Sequence, residues 1–250
     1  MSGGTPTAIG ARTIYLYPFG GGSAASFRSY CRAFPKETAR TVPIEIPGRG
    51  QRLEEPPPKT IEECAARTVE QLDMNGDYVL HGHCMGALIA FEVVKLIRAR
   101  GGIAPSLLVA SGRNAPHHAN AWLFKMADMS DLELFEHLKG IGGIPKGLSF
   151  AMSQPALTAL RRDQAIFSSY RPDKSRIDVP VLVLAGREDR MTNPEGLADW
   201  QLFTSSQYSL DWFDGEHYFL LDQAAAVATA IDRSYSAMAS GRHNAQAGGS

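Results

Sequence analysis

Tyr78-Val79-Leu80 leads through His81 into Gly82-His83-Cys84-Met85-Gly86, and a strongly apolar run follows from Met85. A small residue on each side of position 84 lets a chain turn sharply from strand into helix, lifting one side chain above the sheet edge. The apolar spacing predicts a helix from Met85 to Arg100, ending at Gly101-Gly102, where glycine supplies a left-handed cap. Cys84 then stands at a helix N-terminus, a position that favours a thiolate and activates a nucleophile. A buried structural cysteine is the plainer reading, and the flanking glycines speak against it.

Outward from this turn, short apolar strands alternate with helix-period segments. Ile14 to Tyr17, Val42 to Ile46, Tyr78 to Leu80, Leu107 to Ala110, Val181 to Leu184 and Tyr208 to Phe213 read as strands. Ser23 to Phe34, Ile61 to Leu72 and Gln223 to Met238 read as helices. The order predicts one α/β domain over residues 1–238, a mainly parallel sheet with helices on both faces. The long insert between Leu107–Ala110 and Val181–Leu184 carries amphipathic helices at Asp131 to Leu138 and Pro155 to Tyr170. It is expected to form a helical lid over about 115–176, above the carboxyl edge of the sheet. Residues 239–250 are small and polar and are expected to be a disordered tail. Strand, elbow and lid together point to the α/β-hydrolase fold.

Of the 250 residues, 44% are hydrophobic and 20% charged, ordinary values for a globular domain with a substantial core. The formal net charge of −1 provides no field that would attract nucleic acid or an anionic membrane, so neither is an expected partner. No apolar run approaches the ~20 residues of a membrane span, and the N-terminus lacks the pattern of a signal peptide. Three widely spaced cysteines form neither a disulfide framework nor a zinc cluster, which suggests a reducing, cytoplasmic setting. A monomer is expected.

In this fold the acid and the base follow the nucleophile in the order Asp/Glu, then His. Asp189, in Ala185-Gly186-Arg187-Glu188-Asp189, and His217, in Gly215-Glu216-His217-Tyr218, occupy those places, with Glu188 and Asp214 as rivals for the acid. His217 would take the proton of Cys84, and Asp189 would fix its tautomer. Gly20-Gly21-Gly22 can aim a backbone N–H at an oxyanion, with Gly20 and Met85 as the expected donors. His117-His118 resembles a metal pair, but without a carboxylate or cysteine nearby in sequence it is expected to be solvent-exposed and to bind no metal. Cys31 and Cys64 are expected in the core.

Taken together, the motifs resemble the type II thioesterases of nonribosomal peptide and polyketide synthases. Tyr17-Pro18-Phe19-Gly20-Gly21-Gly22-Ser23 is similar to the oxyanion loop of that family, Ile46-Pro47-Gly48-Arg49-Gly50-Gln51-Arg52 to its second signature, and Gly82 to Gly86 to its elbow. Leu138 to Pro145 is similar to its lid segment and Gly215 to Leu220 to its histidine motif. The resemblance implies a thioesterase without a cofactor of its own. Its substrate would be an acyl or aminoacyl group on the phosphopantetheine of an acyl or peptidyl carrier protein.

Residues 139–176 hold seven Lys/Arg against two acids. Lys139, Lys146, Arg161 and Arg162 are therefore candidates for docking an acidic carrier by charge complementarity, the alternative being a solvated helix face. The departure from the family is Cys84, where its usual nucleophile is serine. A cysteine exchanges one thioester for another of similar energy, so transfer of the acyl group to a second carrier stands beside hydrolysis. Two other readings stay open, an esterase acting on small oxygen esters and a non-catalytic ligand-binding protein of the same fold.

Overall fold

The computed structural model describes residues 12–118 and 125–247. Six strands form one sheet: β1 (Arg12–Tyr17), β2 (Ala39–Pro43), β3 (Tyr78–His83), β4 (Leu107–Ser111), β5 (Val181–Gly186) and β6 (Tyr208–Phe213). Their spatial order is β2-β1-β3-β4-β5-β6, and every neighbouring pair is parallel. Chain order reverses between β1 and β3, which opens a crevice at their carboxyl ends, the usual place for a site in such sheets.

Alternation along each strand divides the interior into two cores. Tyr15, Tyr17, Leu80, Leu108 and Val183 face the side covered by α1 (Ile61–Thr68), α2 (Met85–Ala99) and the lid. Ile14, Leu16, Val79, Val109 and Leu182 face the other side, where Phe27, Tyr30 and α7 (Ala224–Ala247) pack. The four central strands are buried on both faces, which is why they read as nearly continuous apolar runs.

Between β4 and β5 lie the lid helices α3 (Asp131–Gly140) and α4 (Phe150–Ser169). Ser130 opens α3 with a reciprocal capping box to Glu133. Ser149 caps α4 by accepting from Met152 N–H. The remaining short helices are α5 (Pro194–Ala198) and α6 (Phe219–Asp222). Residues 119–124, inside the expected lid, lie outside the described residues. No helix among the described residues is long and apolar enough to cross a membrane.

Four expectations shift. The helix expected over Ser23 to Phe34 is two short 3-10 segments, Ala24–Phe27 and Tyr30–Ala33; the three-residue step between buried Phe27 and Tyr30 suits i→i+3 turns. The second strand lies three residues earlier than expected; Ile44 N–H still donates to Leu16 O at 2.9 Å, so Pro43 turns its missing N–H toward the open edge of the sheet, where proline is tolerated. Helix α4 begins at Phe150 rather than Pro155: the Ser149 cap starts it, and Pro155 forgoes one backbone bond within it. Helix α7 continues to Ala247, through most of the stretch expected to be a tail.

Candidate active site

Strand β3 ends at His83, α2 begins at Met85, and Cys84 joins them with φ +54° and ψ −115°. It is the non-glycine residue with positive φ among those described, a strained conformation that holds the sulfur above the sheet edge. The turn closes only with glycine on both sides. A Cβ on Gly82 would stand 2.1 Å from Gly86 O, and one on Gly86 2.1 Å from Tyr17 O. Gly86→Ala is therefore expected to destabilise the fold by roughly 3 kcal/mol or more, read as a drop in the urea midpoint, because backbone atoms must move.

Register places the other two groups. Gly186, the last residue of β5, pairs with Phe213, the last of β6, so the loops leaving both strands emerge side by side. Arg187 N–H then donates to Phe213 O at 2.8 Å and Glu188 N–H to Gly215 O at 3.1 Å. Asp189 Oδ2 consequently lies 2.9 Å from His217 Nδ1, both residues being buried. Neither rival acid reaches the imidazole. Glu188 accepts from Gly215 N–H, and Asp214, 85% exposed, pairs with Arg187 at 3.3 Å.

On the far side of its ring, His217 Nε2 is buried without a hydrogen-bond partner among the described residues. Cys84 lies near enough for its charge to act on the imidazole. Burial opposes protonation of His217, but Asp189 and then Cys84 outweigh it and raise its pKa to about 10. His83, whose ring centre is 4.9 Å from that of His217, is pushed the other way, first by burial and then by the His217 charge. One imidazole of the pair thus carries the proton. Because the folded pKa lies above the ordinary 6.5, the charged ring stabilises the fold fully below pH 6.5, and that contribution is lost as pH rises to about 10. Across that window the unfolding free energy should fall by up to about 1.4 kcal/mol per pH unit. His217→Gln should flatten this slope in a urea-unfolding series, and equal slopes in the two proteins would contradict the assignment.

Gly20 and Met85 line the same cavity as Cys84 and His217. Among the described residues neither N–H donates a hydrogen bond outside the regular elements, and Met85 is the first residue of its helix, so both are open to an incoming oxyanion. The lid closes the cavity from above with Met126, Leu138, Ile141, Leu160 and Phe167.

The loop carrying Gly20 is locked by residues whose role was not read from sequence. Asp163, on α4, accepts from Gly21 N–H at 2.7 Å and from both Arg49 Nη atoms at 2.5 and 2.8 Å. Arg49 also donates to Gly22 O at 3.0 Å, and the ion pair is almost wholly buried. Gly21 has φ +74° and its Cβ position lies 2.8 Å from Ala156 O, so the lid helix rests directly on the loop backbone. Arg113, also unforeseen, lies buried over the Phe167 ring at 4.5 Å; burial lowers its pKa to about 10, and Cys84 is the leading opposing charge.

Two expectations about charged surface residues are corrected. Arg161 is not a free docking group: its guanidinium donates to Met126 O, Met129 O and Asp131, tying α4 to the segment before α3. Lys139 pairs with Glu136 at 3.5 Å and stays exposed, while Arg162 and Lys146 are exposed and form no ion pair among the described residues. The His117-His118 pair does meet a carboxylate, since Nε2 of each ring lies near Asp199 Oδ2, at 3.2 and 2.7 Å. His117 is 41% exposed and His118 27%. Cys64 is fully buried, whereas Cys31 is partly buried against the second core.

Residues 12–235 match the thioesterase domain family. The chain is 28% identical over 214 residues to gramicidin S biosynthesis protein GrsT of Aneurinibacillus migulanus, covering 84% of this chain and 83% of that protein. It is 28% identical over 225 residues to thioesterase PikA5 of Streptomyces venezuelae, covering 87% and 79%. Among solved structures it resembles YbtT, a type II thioesterase from the yersiniabactin NRPS/PKS biosynthetic pathway, with TM-score 0.79 and 27% identity over 92% of this chain and 94% of that one. With a parallel α/β-hydrolase sheet, a glycine-flanked elbow beneath a helical lid, and a family match spanning nearly every element, the chain belongs to the thioesterase family and is a hydrolase.

Proposed function

We propose that this thioesterase is of type II, releasing acyl groups from the phosphopantetheine thiol of carrier proteins in a nonribosomal peptide or polyketide pathway. The observation carrying this reading is that Cys84 and His217 line one cavity together with Gly20 and Met85, while Asp189 holds the far side of the imidazole at 2.9 Å. The Cys84 sulfur attacks the thioester carbonyl, and the developing oxyanion is held by Gly20 and Met85 N–H. As the carbonyl re-forms, the pantetheine sulfur leaves with the proton that His217 carries, and the acyl group stays on Cys84. Neutral His217 then takes a proton from a water molecule, which attacks the acyl-cysteine. The acid departs, and sulfur and imidazolium are restored. Asp189 keeps Nδ1 protonated throughout.

The sulfur also supports a second reading, transfer of the acyl group to another carrier, because a thiol competes well with water for a thioester. A carrier loaded with labelled acyl group, mixed with enzyme and an unloaded second carrier, separates the two. Label recovered mainly as free acid supports hydrolysis, and label on the second carrier supports transfer.

For the partner, Arg162 and Lys146, with Lys139, form the exposed basic part of the lid. Arg162→Glu with Lys146→Glu should raise KM for carrier-bound substrate about 3- to 10-fold and leave small soluble thioesters unaffected. Equal effects on both substrates would remove the docking role.

A further inference from the structure

The chamber beside Cys84 is small and mostly apolar. Its volume is about 30 Å³, and Met85, Met126, Leu138, Ile141, Leu160 and Phe167 supply most of the wall. Space of that size holds little more than one or two water molecules, so an acyl group that enters lies closely against the wall. Two polar lid residues, Asp163 and Gln164, are among those that line it. The carboxylate of Asp163 is committed, both oxygens being engaged by Arg49 and Gly21 N–H.

Gln164 is different. It is only 6% exposed, and its Oε1 faces Arg161 Nη1 at 3.4 Å. A guanidinium only donates, so the amide oxygen must be the atom turned toward it, which leaves Nε2 on the other branch. Nε2 is buried without a hydrogen-bond partner among the described residues. Among the residues lining the chamber, the other buried polar side-chain atom in that condition is His217 Nε2, which serves the nucleophile. A buried amide donor left unmatched is costly, and an arriving acceptor relieves that cost.

We propose that Gln164 forms a polar subsite in the acyl chamber, selecting acyl groups that carry a hydroxyl or keto oxygen over hydrocarbon acyl groups and over aminoacyl groups. The inference rests on the thioesterase reading above and narrows its substrate class. A hydroxyl or keto oxygen accepts from Nε2, a hydrocarbon chain leaves the donor unmatched, and a protonated amine brings only further donors. A single neutral hydrogen bond of this kind sets the discrimination at roughly 10- to 100-fold.

Butyryl, 2-hydroxybutyryl, 3-hydroxybutyryl, 3-oxobutyryl and 2-aminobutyryl thioesters of N-acetylcysteamine test it, being matched in length and independent of carrier docking. Wild-type kcat/KM should favour at least one oxygenated chain over butyryl and 2-aminobutyryl by about 10-fold or more. In Gln164→Leu, and in Gln164→Met should the first fail to fold, that ratio should fall toward one. Calorimetric binding of the same thioesters to Cys84→Ala reads the subsite without chemistry. A binding preference alongside no wild-type turnover of any thioester would overturn the thioesterase reading and leave the subsite standing. No preference in either measurement, or an unchanged ratio in both Gln164 variants, would overturn the subsite.

Discussion

Cys84→Ala is expected to lower kcat for any acyl thioester by about ten-thousand-fold or more, with the fold intact. The substitution removes one sulfur from a residue 7% exposed and adds no atom, so packing against Phe19 and Tyr218 is little disturbed. The chemistry has no substitute nearby. His217, held by Asp189, lines the same cavity as position 84, and no other cysteine or serine among the described residues lines it. Circular dichroism and the urea midpoint should match wild type while turnover disappears. Undiminished turnover would remove the covalent mechanism. Cys84→Ser is the informative companion, since an acyl group on serine is an oxyester, and returning it to a thiol runs uphill. In the two-carrier experiment Cys84→Ser should therefore shift the label toward free acid. An unchanged partition would show that the choice of acceptor is set by access and not by the sulfur.

The second large effect is expected at Asp163, far from the reacting atoms in sequence. Asp163→Asn leaves the Arg49 cation, itself 7% exposed, without its counter-charge, and breaking such a buried pair costs about 3–5 kcal/mol. The amide also offers one acceptor oxygen where the carboxylate offered two, so Gly21 N–H and the Arg49 Nη atoms compete for it and the hold on the loop that carries Gly20 loosens. Weakening one oxyanion donor lowers kcat by about 100- to 1,000-fold. Replacing both partners, as in Arg49→Met with Asp163→Leu, should recover much of the stability because no buried charge is orphaned. It should not recover kcat, since nothing then holds Gly21. Denaturant unfolding and kcat on a small thioester separate the two roles. Recovery of both together would show that the ion pair is purely structural.

Cys84 could be read from five residues because an elbow is a local object. Its requirements are steric, set by Gly82 and Gly86 against backbone atoms within a few residues or on the adjoining strand. The sheet was legible for a related reason. Strands buried on both faces leave continuous apolar runs that fix their position to within a few residues, whereas the edge strand β2, largely not buried, lay three residues from its expected place. The chain order of Cys84, Asp189 and His217 was also readable, because each follows a strand of that sheet.

The tertiary structure decided which groups meet across long stretches of chain. Asp189 was chosen over Glu188 and Asp214 by the register of β5 against β6, which turns one carboxylate to the imidazole and leaves its rivals on Gly215 and Arg187. Asp163 and Arg49 lie 114 positions apart, Asp199 and His118 81, and no spacing rule connects them. Arg161 looked like part of a basic surface, but the fold engages its guanidinium with carbonyls of its own lid and with Asp131. A side chain's charge is written in the sequence. Whether that charge faces water, a partner or a buried counter-ion is settled only when helices and loops pack, since burial and long-range pairing are properties of the folded chain. The sequence by itself thus determined the sheet and the elbow that presents Cys84; tertiary packing decided which carboxylate meets the His217 imidazole, the lock on the loop carrying Gly20 and, among the described residues, the buried amide left unpaired beside the cavity.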